Sequence, residues 1–157
     1  MTSMKRRIFL KGTVAGSAVA VGVGAGLVAP RQVLAAWPKT AFEAEKVQAA
    51  IEGLHGTALT EPSDDIQIKA PDIAENGAVV PVTISTGISN PDSISIIVEK
   101  NGTPLAASFQ LASRAQGYVS TRIKMGETSD VIATVKSGDK IYSARKQVKV
   151  TIGGCGG

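Results

Sequence analysis

Val80-Pro81-Val82-Thr83-Ile84-Ser85 and Ser93-Ile94-Ser95-Ile96-Ile97-Val98 place an apolar residue at every second position, with only Ile97 out of phase. Side chains of a strand point alternately to its two faces, so this period belongs to strands with one buried face. The same alternation runs outward along the chain. Ile66, Ile68 and Ala70 alternate with Asp65, Gln67 and Lys69. A short segment runs from Leu105 to Leu111, another takes in Val119, Thr121, Ile123 and Met125, and a third covers Val131 to Lys136. Ile141 to Ile152 is the last and longest. Turn formers separate them at Asn76-Gly77, Asn90-Pro91-Asp92, Asn101-Gly102 and Ser137-Gly138-Asp139. About seven short strands with polar turns predict an all-β fold, an antiparallel sandwich. Pro81 has no N–H to donate to a ladder, which predicts an edge position or a bulge there.

One helix precedes the strands. Val47, Ile51 and Leu54 form a single apolar stripe. Thr40-Ala41-Phe42-Glu43 fits a capping box, in which the two side chains satisfy each other's free backbone N–H groups. His55-Gly56 ends the helix, with glycine in the C-cap region. His55 is the only histidine, and at a helix C-terminus it reads as a polar residue favoured by the dipole. With no second histidine, and with the only cysteine about a hundred residues away, a metal site is not expected. No cofactor is expected either.

The N-terminus reads as an address. Met1-Thr2-Ser3-Met4-Lys5-Arg6-Arg7-Ile8-Phe9-Leu10-Lys11 is basic, and Gly12 to Ala29 carries no charge. Val33-Leu34-Ala35-Ala36-Trp37 supplies small residues for cleavage after Ala35 or Ala36. Arg6 and Arg7, followed by Ile8-Phe9-Leu10-Lys11, resemble the twin-arginine export motif, with Lys5 where Ser or Thr is usual. The uncharged stretch has a span's length. Five of its eighteen residues are glycine and most others Ala or Val, so cleavage is the expectation rather than a membrane anchor. Residues 1–35 are then a signal peptide, 36–152 the sandwich domain and 153–157 a separate tail. The destination is the periplasm, reached already folded and able to carry a bound partner without a signal of its own.

Without that segment the charge argument changes. The whole chain is +4 with a pI near 9.3, which points towards nucleic acid. Residues 1–35 hold five of the 17 basic side chains and none of the 13 acidic ones, leaving twelve against thirteen. A nucleic-acid partner is therefore not expected. Residues 36–99 carry three basic and ten acidic groups; residues 100–157 carry nine and three. That division fits a charged partner surface, or two halves that attract each other once folded.

The search for chemistry narrows to one atom. There is no G-x-S-x-G, no phosphate-binding glycine loop and no His- or Cys-rich cluster. Asp64-Asp65 opens a strand and reads as a turn; Thr103-Pro104, Arg122 and Lys124 read as turn and exposed strand residues. The chain ends Val148-Lys149-Val150-Thr151-Ile152-Gly153-Gly154-Cys155-Gly156-Gly157, and Cys155 is its only cysteine. No intramolecular disulfide can form, and nothing beside this thiol can bury it. In an oxidising compartment such a thiol is either reactive or crosslinked to another chain. Gly153, Gly154, Gly156 and Gly157 constrain the backbone little and add no bulk. From Ile152 the thiol reaches about 10 Å, at about 3.3 Å per residue. This composes a swinging arm that enters a narrow channel and presents a covalently tethered group. The nearest charges, Lys149, Lys146 and Arg145, are on the strand, so activation of the thiol falls to partner enzymes. On its own the chain is a carrier, not an enzyme. When unpartnered it is expected to form a disulfide-linked homodimer through Cys155.

At this point the chain resembles SoxY, the sulfur-carrier subunit of the bacterial Sox sulfur-oxidation system. The resemblance rests on the twin-arginine signal, on Val79-Val80-Pro81-Val82, on Ile97-Val98-Glu99-Lys100-Asn101-Gly102-Thr103-Pro104, on Thr121-Arg122-Ile123-Lys124-Met125 and on the terminal glycine–cysteine motif. It departs at Asn101-Gly102, where that family usually has Asn-Pro. The resemblance implies an immunoglobulin-like fold and a heterodimer with a SoxZ-like subunit. It also implies conjugation of Cys155 to thiosulfate by a c-type cytochrome, and release of sulfate by a thiol hydrolase. Two rival readings stand beside it. One is a carrier whose terminal Gly156-Gly157 becomes a thiocarboxylate. The other is a secreted binding module whose cysteine only crosslinks it.

Overall fold

The computed structural model describes residues 38–151. Arg6, Arg7, Cys155, Gly153, Gly154, Gly156, Gly157 and the uncharged stretch 12–29 lie outside the described residues. Among the described residues two helical segments come first, α1 (Lys39–Phe42) and α2 (Val47–His55). Nine strands follow: β1 (Glu61–Pro62), β2 (Ile66–Lys69), β3 (Ile73–Ala74), β4 (Val80–Thr86), β5 (Ser93–Val98), β6 (Leu105–Gln110), β7 (Tyr118–Ile123), β8 (Ser129–Ser137) and β9 (Lys140–Val150).

The strands make two sheets. One runs β1-β9-β8-β5-β6, with β3 also on β9; the other runs β2-β4-β7. The inner faces meet in one apolar core, supplied by Val80, Val82 and Ile84 from β4, Ile94, Ile96 and Val98 from β5, and Val131, Ala133 and Val135 from β8. Each of these is at most 1% exposed. At about 1.5–3 kcal/mol per buried aliphatic side chain, this core is the main force holding the sheets together. The expected all-β, immunoglobulin-like sandwich is what the chain forms. The seven expected strands are all present; β1 and β3 are the additions. Both are two-residue pieces laid parallel on β9, at Tyr142–Ser143 and at Lys149–Val150. Two residues are too short for any period, which is why the sequence does not announce them.

Ile97 has a physical reason for being out of phase. All six residues of β5 are buried, so both faces of the strand are covered. The second cover is the helical pair: Ala41, Val47, Ala50 and Ile51 pack on Ile97, Leu105 and Ile132. The capping box does not form. Thr40 lies inside α1, neither helix has a side-chain cap, and Glu43 forms an exposed ion pair with Lys39 at 3.6 Å instead. The single expected helix is split because its two parts fold back on each other. Ala41 is fully buried, and a Cβ on Gly53 would come within 2.9 Å of the Ala41 Cα. Glycine in a helix interior costs about 1 kcal/mol relative to alanine; here it permits that approach. Gly56 closes α2 in the left-handed region at φ 78, donating its N–H to the Glu52 carbonyl, as expected.

Pro81 is tolerated for a local reason. β4 is the central strand of its sheet, but β2 pairs with it only over Thr83–Thr86. At Pro81 the strand has β7 alone as neighbour, so the missing donor breaks no ladder with β2.

His55 is not a solvated, dipole-favoured residue. Its Nε2 is buried without a hydrogen-bond partner. Burial first, and then the nearby Lys136 charge, hold its pKa below the ordinary 6.5. Desolvation outweighs the helix dipole, which would act the other way. The folded state therefore binds the proton less well than the unfolded chain, and stability falls as pH drops through the ordinary histidine range. The thermal midpoint should decline between about pH 7.5 and pH 5.5, and His55→Gln should flatten part of that slope. Equal slopes in both proteins would remove His55 as the cause.

Candidate functional site

The described residue nearest in sequence to Cys155 is Thr151, and the chain up to it is tied from both sides. β9 pairs with β8 as far as Val148, opposite Ser129. Beyond that ladder the Thr128 hydroxyl takes over, accepting from the Val150 N–H at 3.0 Å and donating to the Val150 carbonyl at 3.4 Å. On the other side β3 pairs Ile73 with Lys149 and Ala74 with Val150. The Lys149 N–H donates to the Asp72 carbonyl at 3.0 Å, and the Thr151 N–H to the Ala74 carbonyl at 3.1 Å. Lys146 staples the same segment, donating to the Ala70 carbonyl at 2.7 Å and pairing with Asp72 at 3.0 Å. That pair is largely exposed on the Asp72 side and is worth little by itself. The backbone ladder carries the anchoring.

Gly77 closes the assembly from below. Its carbonyl accepts from the Met125 N–H at 2.7 Å. A Cβ there would collide with the Met125 carbonyl oxygen and come within 2.9 Å of Val150 Cγ1. Gly77→Ala should therefore cost about 1–3 kcal/mol, the usual price of overpacking a rigid site, and lower the thermal midpoint by about 5–10 °C. A midpoint equal to wild type would show that the backbone yields there.

The sequence reads Asn76-Gly77 only as a turn and gives Thr128 and Asp72 no role. Their parts depend on Met125, Val150 and Lys149, far off in the chain, and no local signal predicts them. Asp64-Asp65 is a turn as expected, with the Asp65 N–H on the Ser63 hydroxyl and the Asp65 carbonyl accepting from Gly87. Arg122 and Lys124 are exposed, also as expected. The charge division largely resolves into mutual attraction: Lys140 pairs with Glu61, Arg145 with Glu99 and Lys146 with Asp72, each joining the cationic to the acidic part. Among the described residues no three His, Cys, Asp or Glu side chains gather in a way that would hold a metal.

The family model for the sulfur oxidation protein SoxY matches residues 51–155, more than half of the chain. The chain belongs to the SoxY family. The matched span runs through β9 and its anchoring residues and ends on Cys155 itself. Among solved structures, this SoxY-family chain is similar to the sulfur carrier protein SoxY from Chlorobium limicola f thiosulfatophilum. Identity is 44% over 68% of this chain and 97% of that one, with a TM-score of 0.63. A chain from a structure concerning the bacterial superantigen toxic shock syndrome toxin-1 aligns at 10% identity and a TM-score of 0.39, which carries no argument. No curated protein matches. SoxY-family membership makes this a sulfur-oxidation protein and implies partnership within the Sox system.

Proposed function

We propose that this chain is a periplasmic covalent sulfur carrier whose Cys155 receives thiosulfate and presents the bound sulfur to successive Sox enzymes. The observation that carries the reading is the extent of the family match, which ends on Cys155. The anchoring of β9 up to Thr151 supports it. A carrier needs a fixed root and a slender tip. Four residues from Thr151 give the thiol a reach of about 13 Å.

The chemistry assigned to Cys155 is thiol–disulfide chemistry run by partners. Joining the cysteine sulfur to the sulfane sulfur of thiosulfate forms one S–S bond and releases two electrons, which a c-type cytochrome partner accepts. Water then cleaves the S–sulfonate bond in a thiol hydrolase, giving sulfate and leaving a persulfide on Cys155. Further oxidation or transfer of that sulfur frees the thiol. The chain supplies the attachment atom and the reach, not the turnover. A SoxZ-like subunit completes the heterodimer in this reading.

The compartment is part of the proposal, because an oxidising surrounding is where a lone exposed thiol is normally consumed. Arg6→Lys with Arg7→Lys should leave the precursor in the cytoplasm, read by fractionation and blotting. Normal periplasmic accumulation of the double variant would contradict twin-arginine export. The loading test is intact-mass analysis of the thiosulfate-treated complex, with Cys155 as the modified residue. Sulfur on the terminal carboxyl of Gly157 would favour the thiocarboxylate reading instead.

A further inference from the structure

One flank of the sandwich is closed and the other is open. On the closed flank β1 and β3 lie along β9. On the open flank β6 ends its sheet, and no other described strand pairs with it. Among the described residues, no backbone hydrogen bond outside its ladder with β5 involves Leu105–Gln110. A strand edge left this way repeats unpaired N–H and C=O groups, which another strand can complete.

The other edges are protected against that. β1 and β3 have two residues each, and β1 ends in Pro62. β2 has four residues with exposed Gln67 and Lys69, and β7 carries exposed Arg122. β6 has none of these guards, its one irregularity being the register shift opposite Ile96–Ile97 that leaves Ala106 as an extra residue. Leu105-Ala106-Ala107-Ser108-Phe109-Gln110 is six residues long, with no charge and no proline. Four of the six are only half-buried.

The charges around this edge indicate what covers it. Arg114 lies four residues beyond one end of β6, with Arg122 exposed on neighbouring β7 and Lys124 exposed just after it. None of the three makes an ion pair among the described residues, whereas Lys140, Arg145 and Lys146 of β9 do. A second copy paired along β6 would bring the same cations to the seam, whereas a chain bearing carboxylates there would neutralise them. Tyr118, 56% exposed on β7, adds the aromatic type common at interface centres.

We infer that β6 is the docking edge for a different protein chain, which adds a β-strand alongside Leu105–Gln110 and sets carboxylates opposite Arg114 and Arg122. The inference rests on the reading of this chain as one subunit of a sulfur-carrier complex, and it names the surface and chemistry of that contact.

Residue-resolved amide exchange tests it, on the mature chain alone and on the complex purified with it from its host. In the isolated chain the outward-facing amides of β6 should exchange fast. In the complex they should slow by at least about 100-fold. Arg114→Glu with Arg122→Glu should weaken the complex at least about tenfold while leaving the thermal midpoint unchanged. Gln110→Lys, a guard of the kind the edge lacks placed at its exposed residue, should weaken it similarly without loss of fold. A complex with unchanged β6 exchange overturns the inference. So does recovery of the chain alone, or β6 protection that arises only in a dimer of this chain. Sulfur on Cys155 with an unprotected β6 would leave the carrier reading standing and sink the docking edge. A protected β6 on a chain that never carries sulfur would do the reverse.

Discussion

Cys155→Ser should abolish thiosulfate loading and, with it, all thiosulfate-dependent turnover by the reconstituted partner enzymes. The effect is complete because the chain holds one cysteine, so no second sulfur can substitute. A serine hydroxyl cannot form the S–S bond on which the assigned chemistry depends. Stability should be unchanged: Cys155 lies four positions beyond Thr151, whose N–H is tied to the Ala74 carbonyl, and the substitution exchanges a single side-chain atom. Melting curves of the two proteins should overlay while loading, read as intact mass, drops to zero. Residual turnover in the serine variant would end the carrier account.

Gly154→Val and Gly156→Val should produce nearly as large a loss by a different route. Each places a β-branched side chain beside the thiol and narrows the accessible backbone angles. Neither should alter the reaction of Cys155 with a small alkylating reagent. If the tip must pass through a confined channel to reach a partner's catalytic groups, turnover should fall by about 100-fold or more, the scale on which a misplacement of about 1 Å acts. Normal alkylation with lost turnover assigns the glycines to access. Wild-type turnover in both variants would mean that they serve only as a tether.

The core alternation of β4 and β5 was legible because a two-residue period with one buried face leaves a direct trace in sequence. Ile97 looked irregular, since its reason is the helical pair on the sheet's outer face, a contact between distant segments. The capping box at Thr40 matched a local pattern but lost to the close approach of Ala41 and Gly53. His55 was read from its place on the helix, whereas its buried Nε2 and the nearby Lys136 come from tertiary packing. Cys155 stands out as the candidate attachment residue without a structure: a lone thiol among glycines is a chemical statement in itself. The strand that anchors it could not, because Thr128, Asp72 and Ala74 act on Lys149, Val150 and Thr151 through the fold alone.

The most direct measurement is the intact mass of the protein purified from thiosulfate-grown cells, before and after reductant, with the modified residue located by fragmentation. The carrier account predicts mass increments of whole sulfur atoms or of a thiosulfonate group, all on Cys155 and all removed by reductant. An unmodified Cys155 throughout, or sulfur attached only at the terminal carboxyl of Gly157, would contradict it.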